Sequence, residues 1–176
     1  MKNFRKESKI LAIAKVRYIF VRMDKMDRIN KDLIVECLSS KTADVSTHQP
    51  FLYENLTRKI IGISYEVMNE LGIGFLESIY HRALEIALRQ NGFHVQSEVP
   101  IQVSFRGTNV GNFKADLIVD QKIIVEVKAT EQIIGEYKAQ VINYLCASDL
   151  CVGLIINFGQ AKVQTARLQH PRFMNI

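Results

Sequence analysis

The sequence predicts a mixed α/β domain, in which a mixed β-sheet carries helices on both faces. Three observations lead there. Two runs rich in β-branched residues, Leu117 to Val119 and Ile123 to Val127, flank the polar Asp120-Gln121-Lys122 and form a β-hairpin. Two amphipathic helical stretches precede that hairpin, and a third separates it from Cys151 to Phe158, an almost unbroken apolar run. Such a run is the mark of a strand buried on both faces, and a helix between two strands is the usual parallel crossover.

In chain order, residues 1–50 form a basic first stretch, a charge-dense Asp24 to Lys31 and a polar Ser39 to Pro50, with no clean alternation. They are expected to be an N-terminal extension: an arm, a disordered tail or residues upstream of the true start. From Leu52 to Leu71 the apolar positions Leu52, Leu56, Ile60, Ile63, Val67 and Leu71 recur at helical spacing, and Gly72-Ile73-Gly74 ends the helix. A second helix is expected from Leu76 to Gln90, stopped by Asn91-Gly92, with Glu77, Tyr80 and Leu84 on one stripe. Phe93 to Phe105 reads as a strand weakened or bent at Pro100, Arg106 to Asn109 as a turn, and Val110 to Val119 as the returning strand. A helix from Ile133 to Ala147 places Gln140 and Tyr144 on one face. After the buried strand, Lys162 to Leu168 alternates weakly, as an edge strand does.

Composition bounds the partners. Of 176 residues, 48% are hydrophobic and 23% charged, ordinary globular values. The net charge of +5 lies wholly in residues 1–50, with 11 Lys+Arg against 6 Asp+Glu; residues 51–176 hold 12 of each. The domain therefore has no overall electrostatic footprint for nucleic acid, and local clustering or bound metal would have to supply one. Cys37, Cys146 and Cys151 suit a reduced, cytoplasmic protein and lack the spacing of a zinc site. Lys15 and Arg17 interrupt the apolar run from Ile10 to Val21, so neither a signal peptide nor a membrane span is expected.

The hairpin carries the chemistry. Alternation puts Leu117, Val119, Ile123, Val125 and Val127 on one face and Asp116, Ile118, Ile124, Glu126 and Lys128 on the other. If Val119 pairs with Ile123 across a three-residue loop, Asp116 falls opposite Glu126, about 4.5–5.5 Å apart at Cβ. Opposed carboxylates destabilise a ladder unless a cation lies between them, and Mg²⁺ takes such oxygen ligands. Lys128, two residues on, could orient a water or hold a phosphate oxygen. The pattern alone fits equally an ordinary solvated face on which Lys128 neutralises Glu126. Convergence of Glu77, Asp116, Glu126, Lys128 and Gln140 at one sheet edge favours an active site.

Several motifs in one order now resemble a known family. Gly74-Phe75-Leu76-Glu77-Ser78-Ile79-Tyr80 matches the pattern naming the GxxExxY proteins. The likeness continues through Ala115-Asp116-Leu117, Val125-Glu126-Val127-Lys128, Gln140-Val141-Ile142-Asn143-Tyr144 and Val152 to Gly159, covering Leu52 to Leu168. That family, mostly prokaryotic, is placed in the PD-(D/E)XK nuclease superfamily. The resemblance implies a restriction-endonuclease-like αβββαβ core over residues 51–176 and a Mg²⁺-dependent site in which Mn²⁺ can substitute. It implies that Asp116, Glu126, Glu77 and the Val127 carbonyl ligate metal and that Lys128 is the catalytic lysine. Gln140 and Tyr144 would be the Gln-x-x-x-Tyr element that positions substrate, nucleic acid and foremost DNA. Relatives often carry His where Met68 and Tyr137 stand here. The alternative is a catalytically silent module that keeps the fold and binds nucleic acid or protein.

Overall fold

The structure is a computed structural model and describes residues 52–173; the extension expected over residues 1–50 lies outside the described residues. Helix α1, Glu54–Leu71, buries Ile60, Ile63, Val67 and Met68 at the expected spacing. It starts two residues later than periodicity suggested, because Tyr53 adopts the left-handed region at φ 59° and breaks the helical path. Gly72, at φ 77°, ends it as only glycine does without strain. Helix α2, Glu77–Gln90, buries Tyr80, Leu84 and Leu88 and stops where Phe93 N–H reaches back to the Leu88 carbonyl.

Among the described residues five strands follow in a single sheet, ordered as in the chain: β1 Val95–Phe105, β2 Thr108–Val119, β3 Ile123–Lys128, β4 Val152–Asn157 and β5 Gln164–Gln169. Helix α3, Gly135–Ala147, joins β3 to β4, and these two run parallel while every other neighbouring pair is antiparallel. Mixed sheet and crossover are as expected. The β1–β2 turn is tighter than expected. Arg106 and Gly107, both at positive φ, form a two-residue turn, and Thr108 and Asn109 already pair in the ladder. Pro100 does not end β1 and pairs with Lys114, since among the described residues β1 is an edge strand and the missing N–H has no outer neighbour to serve.

Two cores share the sheet. On one side α1 and α2 pack against Leu117, Val119, Ile123, Val125, Val127, Leu154 and Ile156. On the other, Val141, Tyr144 and Leu145 of α3 cover Ile118, Ile124 and Ile155. Both faces of β3 and β4 are thereby dry, which explains the unbroken apolar run of β4. No helix among the described residues is long and apolar enough to cross a membrane.

Two glycines set close approaches around β4. A Cβ on Gly153 would sit 2.3 Å from Val141 Cγ1, so the missing side chain lets α3 settle on the sheet. A Cβ on Gly159 would meet the Thr130 backbone, 2.1 Å from its oxygen. The Asn157 side chain clasps the same junction: its Oδ1 accepts from the Thr130 and Gly159 N–H groups, and its Nδ2 donates to the Thr130 carbonyl. Since backbone yields less than a side-chain methyl, Gly159→Ala should destabilise more than Gly153→Ala. Overpacking of this kind typically costs about 1–3 kcal/mol, with Gly159→Ala at or above the upper end. Urea unfolding of the two variants and the wild type measures the order.

Candidate active site

The β2–β3 hairpin adopts the expected register, with Leu117↔Val125, Ile118↔Ile124 and Val119↔Ile123 paired across Asp120-Gln121-Lys122. Its loop is pinned at positive φ for Asp120 and Gln121, and Asp120 Oδ1 accepts the His94 N–H at 3.0 Å. Continued one step, this register would set Asp116 against Glu126, but the β2–β3 ladder ends at Leu117↔Val125.

Asp116 is detached on its other side as well. In the β1–β2 ladder the pairs Ser97↔Leu117 and Val99↔Ala115 bracket a missing Glu98↔Asp116 pair, and Glu98 stands at φ 55°. Other partners hold Asp116. Its Oδ2 accepts the Val127 N–H at 2.8 Å, and its carbonyl oxygen lies 3.1 Å from His81 Nε2 of α2, which donates in the matching tautomer. Lys128 offers its carbonyl to Phe158 on the β4 side. Successive strand residues point their backbone groups to opposite neighbours, so the Val127 carbonyl, like its N–H, is directed to the β2 side of β3.

Glu126 is 1% exposed in the middle of the sheet. Its Oε1 accepts from Lys128 Nζ at 2.7 Å, while its Oε2 is buried without a hydrogen-bond partner. Burial, and then the nearby charge of Asp116, push its carboxyl up to about 7, against the pull of Lys128. Burial acts to lower the Lys128 ammonium, yet the Glu126 hydrogen bond and the charges of Glu126, Glu77 and Asp116 outweigh it and hold its pKa raised. Lys128 Nζ also lies 3.6 Å from Glu77 Oε1 and 5.4 Å from the centre of the Tyr137 ring.

Glu77 reaches this cluster from the opposite helical layer because Tyr80 fixes the turn before α2. The Tyr80 hydroxyl donates to the Gly72 carbonyl at 2.8 Å and accepts the Phe75 N–H at 3.3 Å, while its ring stacks on Phe158. In Gly74-x-x-Glu77-x-x-Tyr80, the tyrosine is thus the anchor and the glutamate is what it presents. On the α3 side, Gln140 Nε2 donates to the Tyr144 hydroxyl, which in turn donates to the Lys114 carbonyl at 3.2 Å. Tyr144 is buried, and burial followed by the charge of Glu126 pushes its phenol up to about 12.

The structure brings Glu77, Glu126 and Lys128 into direct contact, sets Asp116 against Val127, and places Gln140 and Tyr144 alongside. The expected crowding of three acids on one cation takes a different form, because the Lys128 ammonium stands between Glu126 and Glu77. Among the described residues no three His, Cys, Asp or Glu side chains gather closely enough to hold an ion by themselves. The remaining donors nevertheless suit a hard divalent cation that keeps several waters. They are all oxygen, and one is a buried carboxylate oxygen without a partner. His81 and Tyr137 were not singled out for the site from the sequence. Their spacings could have identified them: His81 lies four residues after Glu77, and Tyr137 three before Gln140.

A model of the PD-(D/E)XK nuclease superfamily matches residues 54–168. Similar solved structures include that of SSO0001, 20% identical, covering 81% of this chain and 75% of that one at a TM-score of 0.45. Another is LHK-Exo in complex with dAMP, 13% identical, covering 78% and 75% at a TM-score of 0.41. No protein of curated function matches the chain.

Burial of Glu126 makes metal-free stability depend on pH. Its folded pKa lies above the 4.5 of a free glutamate, so between those values the folded chain binds more protons than the unfolded one. This contribution is fully present below about pH 4.5 and is lost as pH rises through about 7. Unfolding titrations in chelator should show that loss. The Glu126→Gln variant, with nothing to ionise at this position, should show a smaller loss of stability over the same window.

Proposed function

The chain belongs to the PD-(D/E)XK nuclease superfamily, and from that premise we propose that it hydrolyses nucleic-acid phosphodiesters, DNA foremost, with Mg²⁺ or a substituting Mn²⁺. We place it in the GxxExxY branch on Gly74, Glu77 and Tyr80, with residues 51–176 as the nuclease domain and residues 1–50 as an extension to it. The observation that carries the reading is the pair at the end of β3: a buried glutamate with one oxygen on Lys128 and the other without a partner. A purely structural ion pair gains nothing from that second, orphaned oxygen.

Asp116, Glu126 and the Val127 carbonyl would hold the cation, with Glu77 completing the site from α2. When bound, a divalent ion supplies positive charge against a polyanion and acidifies water. Lys128 Nζ orients the attacking water or holds a non-bridging phosphoryl oxygen. Glu77, 46% exposed at its side chain, steadies that ammonium from the solvent side. Tyr144, anchored on the Lys114 carbonyl, holds the Gln140 amide, and Gln140 steers the scissile strand. Water adds to phosphorus in line and gives up one proton, the bond to the leaving sugar oxygen breaks, and that oxygen takes up a proton from solvent in its place. A silent module is the second reading; the ion pairing of Lys128 with both Glu126 and Glu77 favours it, since the acids then have a counter-charge without metal.

Two measurements test the proposal. Purified protein incubated with linear, nicked and single-stranded DNA in Mg²⁺ or Mn²⁺ should cleave, and Lys128→Ala should lose about 10²–10³-fold in rate. Equal cleavage by that variant overturns the mechanism. Calorimetry with Mn²⁺ should give a binding heat that Asp116→Asn abolishes; no heat from the wild type favours the silent module.

A further inference from the structure

Apolar side chains stand in the open beside the candidate site. Ile73, Phe75, Leu76 and Ile79 are 59%, 48%, 76% and 44% exposed, and Glu77, in contact with Lys128, lies among them. Single exposed apolar residues are commonplace, but a contiguous group bordering charged side chains marks a binding surface.

This surface is built in. The Tyr80 hydroxyl bridges the Gly72 carbonyl and the Phe75 N–H, and the Phe75 ring meets the Tyr80 ring edge-on at 6.2 Å. Gly72 and Gly74 bracket the loop at φ 77° and 98°. Phe75 is therefore anchored by the buried Tyr80, and Leu76 next to it points into solvent.

Charge and continuity with the site decide what fits there. Residues 51–176 carry equal numbers of acidic and basic side chains, and the ammonium of Lys128 is shared between Glu126 and Glu77. Glu77 puts a negative charge among these apolar side chains and the ammonium it meets is already shared with Glu126, so the phosphate attraction that dominates binding to an intact duplex is weak beside Glu77. Apolar contact with a base is indifferent to that deficit, and only unpaired bases offer their faces. A phosphodiester at Lys128 brings its own bases with it, and the loop flanking Glu77 lies next to it.

We infer that the loop from Ile73 to Ile79 is a docking surface for unpaired nucleobases, so that the strand cut at Lys128 is single-stranded or frayed where it enters the site. The inference rests on the nuclease reading and narrows its substrate.

Fluorescence anisotropy of the full chain, with Ca²⁺ in place of Mg²⁺, compares labelled single-stranded DNA, single-stranded RNA and a blunt DNA duplex of the same sequence. The wild type should bind a single strand about tenfold or more tighter than the duplex. Phe75→Ala should weaken single-strand binding by about 5- to 100-fold, the range for loss of one stacked base, Leu76→Ser by about 3- to 30-fold, as for a leucine that loses part of its apolar contact, and both should leave duplex binding unchanged. Leu76 is largely in solvent, so its variant tests the surface even if Phe75→Ala unfolds. Preference for either single strand supports the surface, and the ratio of the two identifies the sugar. Equal affinity for single strand and duplex, unchanged single-strand affinity in Leu76→Ser, or conversion of a wild-type dimer to monomer by that substitution overturns it. If Lys128-dependent cleavage persists alongside such a result, only the docking surface falls. If no oligonucleotide is bound or cut, the nuclease reading falls with it.

Discussion

A carboxylate shut away from water must be neutralised, by a proton, an ammonium group or a bound cation, and at Glu126 the first two are already at hand. Its carboxyl is pushed up to about 7, and Lys128 lies against one of its oxygens. The burial follows from its strand: β3 runs through the middle of the sheet, between β2 and β4, with helices over both faces. Leaving such a charge uncompensated would cost several kcal/mol, so the positions of Lys128 and Glu77, and the gap beside Asp116, are tied to that one side chain.

The gap is possible because the register is held elsewhere. Three consecutive pairs of the β2–β3 ladder put Leu117, Val119, Ile123 and Val125 into one core and Ile118 and Ile124 into the other. A slip of one residue would exchange the faces and strand apolar side chains on both. With pairing anchored on those residues, Asp116 can leave both neighbouring ladders, hand its carbonyl to His81, and turn its carboxylate to Val127. Only the β2 side of this end of β3 is released, since the β3–β4 ladder continues through Glu126, Val127 and Lys128.

Two elements from opposite helical layers close the site. Tyr80 ties the turn before α2 so that Glu77 extends toward Lys128, and the Gln140–Tyr144 pair on α3 approaches from the far side. Both are held by backbone carbonyls, of Gly72 and Lys114, which do not change with protonation or ligand. Asn157 performs the same service for the loop after Lys128 by clasping both backbone groups of Thr130.

Much of this was legible from spacing. Periodicities of two and of three to four residues marked the strands and helices, and the β-branched runs around Asp120-Gln121-Lys122 were enough to set the hairpin register, because burial of one face admits only one alignment. The apolar run of β4 announced a strand covered on both sides. Less legible were the detachment of Asp116, the placement of Lys128 between two acids, and the buried anchoring roles of Tyr80, Tyr144 and Asn157. The sequence by itself determined which residues alternate to which face, since that is a property of neighbours along the chain. Only the tertiary structure decided which charges meet and which are dry, since desolvation and Coulomb energy depend on distances between residues that the chain keeps far apart.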